Sequence, residues 1–214
     1  MRAVSAPIFV SFEGIDGAGK STQVERLKAF LKQRGRDVVV TREPGGTEAG
    51  ERIRELLLDG CDISARTEAA LFAAARAELV EAVIRPALAA GADVIVDRYL
   101  DSSLAYQGVA RGLDLELLYA WNLHMVQDVL PVRTFLLELP AEDASLRLGA
   151  PDRLERESVV FRRKVEEAYR QLARRFADRI VEIDASASEE QVAALVREHV
   201  RQLLGSTAAR AACS

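Results

Sequence analysis

The sequence predicts an α/β protein: a five-stranded parallel sheet covered on both faces by helices, in three α/β/α layers. Three observations carry this. Short β-rich runs alternate along the chain with longer segments of helical period. The runs are largely apolar, as strands buried on both faces are. Three of them end in polar groups, Glu13-Gly14, Arg42-Glu43-Pro44-Gly45 and Asp97-Arg98. Sheets of this kind gather ligands at the carboxyl ends of their strands, so the three groups should converge on one crevice.

Taken in order, Met1–Ala6 reads as loose, and Ile8–Phe12 is a short buried strand. Over Gly19–Arg34, Val24, Leu27, Phe30 and Leu31 fall at helical spacing and should face the sheet; Gly35 ends this helix. Asp37–Thr41 is a second buried strand, followed by the turn-rich Arg42–Thr47. Helices are expected over Glu48–Leu58 and Ala65–Ala90, the second kinked or shortened by Pro86. Asp93–Val96 is the third strand, Ser102–Gln107 a short helix and Leu115–Asp128 another. Arg133–Leu139 is the fourth strand, and Ala141–Leu148 is helical until Gly149-Ala150-Pro151 breaks it. A charged helix over Leu154–Ala177, a fifth strand over Arg179–Ile183 and a helix over Glu189–Leu204 complete the pattern. Residues 1–204 read as one domain without repeat or linker, and Gly205–Ser214 as a disordered tail.

The chemistry starts where the first strand ends. Gly14–Ser21 fits G-x-x-x-x-G-K-[ST], the phosphate-binding loop of P-loop NTPases, between a strand and a helix as that motif requires. Backbone N–H groups of Gly14, Ile15, Asp16, Gly17, Ala18, Gly19, Lys20, Ser21 and Thr22 are placed to surround the phosphates of ATP. Gly14, Gly17 and Gly19 permit the dihedrals and the close approach. The helix dipole adds positive potential. Lys20 should reach the β- and γ-phosphates, and the Ser21 hydroxyl should ligate Mg²⁺. Asp97, after an apolar strand, is either a second holder of the Mg²⁺ shell or a cap for the next helix. Arg98 suits phosphate oxygens or a surface ion pair. Arg42 either helps to bind a second, phosphorylated molecule or pairs with Glu43 or Glu48. Phe72 and Arg76 share a helical face and either hold a base or belong to the core. Tyr106 either stacks on a ligand or packs. Arg147, Arg153 and Arg156 flank the Gly-Ala-Pro break, as a mobile lid of about 147–157 or as a solvated helix end.

Composition sets the bounds. A chain of 214 residues suffices for one sizeable core. Its formal charge of −4 argues against broad nucleic-acid binding. Two cysteines, Cys61 and Cys213, are too few for a disulfide framework and fit a reducing cytoplasm. No apolar run is long enough for a membrane span, and the run before Glu13 is too short for a secretory leader. His124 and His199 are far apart in sequence and away from cysteine, which disfavours zinc.

Together FEGIDGAGKST, TREPGGT, LFAAARAEL, DRYLDSSLAYQG and DRLE resemble the bacterial thymidylate kinase family over nearly the whole chain. TREPGGT with DRY-x5-AYQG is the specific part. The resemblance implies ATP-dependent phosphorylation of dTMP to dTDP with Mg²⁺, in a homodimer formed through helices. It implies that Asp16 accepts from the acceptor's 3′-hydroxyl and that Arg42 and Arg98 hold its phosphate. Phe72 would stack on thymine and Arg76 would bond its O4. Ser103 and Gln107 would lie near base or sugar, with Tyr106 against the deoxyribose. Gly17 stands where the eukaryotic branch has a catalytic arginine, in keeping with a branch that uses lid arginines, here Arg153 first and Arg147 second. Three rivals are weaker. A deoxynucleoside kinase would need a carboxylate base such as Glu13 or Glu43. A GTP switch would need N-K-x-D, which is absent. A nucleotide sensor without turnover would not need Lys20, Ser21, Asp97 and Arg98 together.

Overall fold

The computed structural model describes residues 6–58, 62–146 and 157–211. Its elements are β1 (Phe9–Glu13), α1 (Lys20–Lys32), β2 (Val38–Arg42), α2 (Glu48–Leu58), α3 (Ala65–Leu79), α4 (Arg85–Ala89), β3 (Asp93–Asp97) and α5 (Leu100–Ser103). α6 (Leu115–Val126), β4 (Arg133–Glu138), α7 (Ala141–Ser145), α8 (Val159–Arg175), β5 (Ile180–Asp184) and α9 (Glu189–Ala211) follow. The strands form one parallel five-stranded sheet in the order β2-β3-β1-β4-β5. Successive side chains of a strand point to opposite faces, yet all five residues of β1 are buried, so both faces are covered. α1 lies against β1, β2, β3 and α9, and α8 against β4 and β5. Phe12 meets Phe135 at 5.3 Å between ring centroids, and Phe9 meets Tyr99 edge-on at 5.2 Å. Burying each such ring contributes about 1.5–3 kcal/mol.

The register positions the site. Phe12 is level with Asp97, and Arg42 is level with Asp97, so the polar ends of β1, β2 and β3 come together at one edge. A buried polar tie steadies the segment beyond Asp97. Arg179 donates to both oxygens of Asp101 at 2.7 and 2.8 Å and to Thr134 Oγ1 at 2.8 Å. Thr134 Oγ1 lies 2.8 Å from Ser11 Oγ in the central strand.

Several boundaries differ from the sequence expectation, each for a physical reason. β2 is half-buried, not buried, because it is the sheet edge and has one strand neighbour. The long helix before β3 changes register: α3 passes through a π-helical turn, Val80–Ile84, into α4. Pro86 has no N–H and crowds the preceding turn, which a wider turn relieves. The expected short helix becomes α5 followed by a π-helical segment, Leu104–Ala110. α6 stops at Val126, because Gln127 and Asp128 adopt positive φ. α8 begins at Val159, where Ser158 caps it and accepts from the Phe161 N–H at 3.1 Å; the first residues of the helix expected from Leu154, 154–156, lie outside the described residues. α9 does not stop at Leu204; it runs through Gly205 to Ala211, so most of the expected tail is helical. Its alanines are the strongest helix formers and offset one glycine.

Candidate active site

The loop between β1 and α1 has the backbone of a phosphate cradle. Gly14, Gly17 and Gly19 have φ of +132°, +86° and +91°. A Cβ on Gly14 would lie 2.4 Å from the Leu137 carbonyl oxygen, and one on Gly17 would lie 2.4 Å from that of Ala144. Position 17 therefore has no room for an arginine, or for any side chain, on this backbone. Ile15 and Ala18 are buried and anchor the loop in the core. Lys20 is buried, and its Nζ donates to the carbonyls of Gly14 and Ile15, both at 3.0 Å. Burial, with Arg98 nearby, pulls its pKa down.

Across the cradle stands the end of β3. Ser21 Oγ donates to Asp97 Oδ2 at 3.0 Å, while Asp97 Oδ1 is buried and has no partner. Asp97 caps nothing: α5 starts after Tyr99 without a side-chain cap. A hydroxyl beside a carboxylate with one oxygen unengaged suits a hard cation such as Mg²⁺, which keeps several waters and needs few protein ligands. Among the described residues no three His, Cys, Asp or Glu side chains form a metal cage.

Arg98 adopts φ of +69°, which is uncommon for a residue with a side chain. It is no surface ion pair. Its guanidinium is mostly buried, donates to Asp16 Oδ1, to Ser102 Oγ at 3.2 Å and to Tyr169 Oη at 3.3 Å, and lies 5.5 Å from the Tyr106 ring. Burial opposes ionisation of Asp16, but Arg98 and Lys20 outweigh it and hold the carboxyl well below its usual range. Burial pushes the Tyr106 hydroxyl well up, so it stays neutral.

Two cavities open here and share a wall. The first is lined by the loop, Thr22, Arg42 and Asp97; the second by Pro44, Leu58, Phe72, Ser103, Tyr106 and Gln107. Asp16, Glu43, Arg54 and Arg98 line both. Arg42 is half-exposed and donates to both oxygens of Glu51, at 3.0 and 2.9 Å, rather than to Glu43 or Glu48. Phe72 is buried and forms part of the wall of the second cavity. Tyr106 packs edge-on against Phe161 and Tyr169 and lines the same cavity. Arg76 stands one layer behind that wall, 1% exposed. It donates to Glu43 Oε2 at 2.8 Å, Ser103 Oγ at 3.1 Å, the Tyr99 carbonyl at 3.3 Å and Asn122 Oδ1. Arg147 and Arg153, with Arg156, lie outside the described residues.

The thymidylate kinase family model matches residues 12–196. The chain belongs to the thymidylate kinase family. The thymidylate kinase of Bifidobacterium longum subsp. infantis is 48% identical over 203 residues, covering 92% of this chain and 87% of that protein. That of Chlorobaculum tepidum is 46% identical over 198 residues, covering 86% and 92%. The crystal structure of thymidylate kinase from Ehrlichia chaffeensis aligns with a TM-score of 0.76 and 31% identity, over 91% of this chain and 99% of that one.

In this family member several site residues escape sequence reasoning. Arg54 lines both cavities, donates to the Pro44 carbonyl at 3.0 Å and has no carboxylate partner among the described residues. Its only signal was a position about two helical turns beyond the Arg-Glu-Pro loop. Tyr169 comes from the far helix α8 and donates to Glu13 Oε2 at 2.8 Å. Glu13 is fully buried and also accepts from the Tyr99 N–H at 2.7 Å and the Ser102 hydroxyl at 2.6 Å; it lines neither cavity. Burial, with Asp101 nearby, raises its pKa. A third cleft beside the loop is lined by Ala18, Thr22, Gln23, Ala185, Ala187 and Ser188.

Proposed function

We propose that this chain transfers the γ-phosphoryl group of ATP to dTMP, giving dTDP and ADP. The observation that carries the reading is the shared wall. Asp16, Arg54 and Arg98 stand between a phosphate cradle and an aromatic-lined cavity, where a donor and an acceptor phosphate would meet. The loop N–H groups and Lys20 hold the donor phosphates, with Lys20 leaving the Gly14 and Ile15 carbonyls when ATP arrives. The cleft at Ala185–Ser188 takes the donor base. Arg98 and Arg54 bind the acceptor phosphate, with Arg42 at the edge, and Asp16 accepts from its 3′-hydroxyl. Phe72 stacks on the base, Tyr106 flanks the deoxyribose, and Ser103 and Gln107 present polar groups. Arg76 acts chiefly by holding Glu43 and Ser103.

Ser21 and Asp97 would hold Mg²⁺, which when bound supplies charge neutralisation at the transferring phosphoryl. An acceptor phosphate with a second pKa near 6 is mostly a dianion at neutral pH, so it needs no base. The engaged oxygens of Glu13 fit that. Catalysis then rests on alignment and on cations held ready by Lys20, Arg98 and the lid arginines Arg153 and Arg147. Leu117 is largely exposed on α6 with Trp121 one turn on, which fits a homodimer formed through helices. A cytoplasmic setting fits the thiol content; among the described residues no helix is long and apolar enough to cross a membrane.

The test is a coupled assay of ADP release with dTMP, dUMP, dCMP and thymidine as acceptors. dTMP should lead, with dUMP poorer by the about 1–3 kcal/mol that one methyl group commands. Turnover of thymidine in preference to dTMP would replace this reading with a deoxynucleoside kinase using Glu43, which, unlike Glu13, lines both cavities.

A further inference from the structure

Glu68 on α3 is 1% exposed and belongs to no part of the reaction as described. It nevertheless sits directly behind the acceptor cavity. Its Oε1 accepts from Gln107 Nε2 at 2.9 Å. Arg111, just after the π-helical segment, donates from Nε to the same oxygen at 3.2 Å and from Nη2 to Oε2 at 3.3 Å. Arg111 also pairs with Glu157 at 2.7 Å and lies 4.6 Å from the Phe161 ring centroid. Both oxygens of Glu68 accept from the Arg111 guanidinium, and the oxygen that meets Gln107 accepts there too. The Gln107 amide must therefore turn its NH₂ toward Glu68. Its carbonyl oxygen is left for the cavity that Gln107 lines, and no described residue donates to it.

This matters for a pyrimidine ring. Thymine and uracil carry a hydrogen on N3; cytosine has a lone pair there. We propose that Glu68 is a positioning residue which, by fixing the Gln107 amide, makes the acceptor cavity select pyrimidines that bear an N3 hydrogen. The inference rests on the dTMP kinase reading and deepens it. Arg111 completes the device by keeping Glu68 charged, and its bond to Glu157 links the base cavity to the end of the segment before α8.

The test compares kcat/KM for dTMP and dCMP, with ATP as donor, in wild type and in Glu68→Gln. An amide at position 68 can offer Gln107 either a donor or an acceptor, so Gln107 becomes free to flip. The preference for dTMP over dCMP should fall by about 10-fold or more, through the acceptor KM, with the KM for ATP unchanged. Gln107→Met should lose the preference similarly, and adding Glu68→Gln to it should change the ratio no further. If dTMP and dCMP efficiencies fall in parallel in Glu68→Gln, Glu68 merely braces α3 and the proposal is overturned. Gln107→Met keeping the wild-type preference overturns it too, even where Glu68→Gln does not fold. A wild type that fails to prefer dTMP over dCMP removes the parent reading and this one together. A wild type that prefers dTMP, with variants that do the same, removes this one alone.

Discussion

Replacing Arg76 by alanine tests the layer behind the acceptor cavity. Arg76 and Glu43 have side chains 1% and 3% exposed, and their shortest contact is 2.6 Å, so solvent screens the pair little. Four of the five guanidinium N–H groups are engaged, with Glu43, Asn122, Tyr99 and Ser103. Alanine leaves Glu43 without a cation and Asn122 Oδ1 without its donor, while Glu43 Oε1 already lacks a partner. Breaking a buried pair in this way costs about 3–5 kcal/mol. For a domain of this size that lowers the Tm by roughly 6–20 °C. The deficit depends on pH. Burial raises the Glu43 pKa to about 7 even against the pull of Arg76, and losing Arg76 raises it further. Above pH about 7 the folded variant then binds a proton that folded wild type has released, so its deficit grows as pH rises. Thermal melts at pH 6 and pH 8, with KM for each substrate, would measure this. The acceptor KM should rise because Ser103 loses its anchor, and adding Glu43→Gln should restore part of the stability. A variant that melts within about 2 °C of wild type while only its dTMP KM rises would refute the argument. Arg76 would then be a ligand of the base, not a brace.

Three further outcomes are expected. Lys20→Met should lower kcat by about 10²-fold or more with a stability change within about 2 kcal/mol, since the contacts of Nζ are local to the loop, with the Gly14 and Ile15 carbonyls and the Asp16 carboxylate; a variant keeping most of its kcat removes Lys20 from phosphoryl transfer. Asp97→Asn should raise the Mg²⁺ concentration for half-maximal rate by about 10-fold or more, and an unchanged Mg²⁺ titration would return Asp97 to a structural role. Because Glu43 binds its proton more tightly folded, at about 7 against 4.5 unfolded, its contribution to stability is fully present below pH 4.5 and is lost as pH rises through 7. Urea melts should show a fall in stability, worth about 3 kcal/mol from this group, that Glu43→Gln abolishes; identical pH profiles would contradict the raised pKa.

What the sequence determined by itself is what depends on neighbours along the chain. The glycine loop was legible because each of its dihedrals demands glycine, and the strand before it and the helix after it complete the signal. The helix Glu48–Leu58 was read correctly to the residue, since its apolar period and flanking turns are local. The positions of Ser21, Asp97 and Arg98 followed from the rule that parallel strands present their carboxyl ends to ligands, and the register of β1 with β3 bears it out. Tertiary structure decided which partners those side chains have. Arg76 meets Glu43 from 33 residues away and Asn122 from 46, and no periodicity announces either. Arg54 enters both cavities only because α2 folds back over the Arg-Glu-Pro loop. The burial of β2 depended on its being the sheet edge, which strand order alone settles. Glu68 looked like any charged residue in the first turn of a helix, until packing set it behind Gln107 with Arg111. A sequence specifies local backbone through propensity and steric need. Which buried charge faces which donor is set by contacts between distant segments, and these exist only once the core has closed.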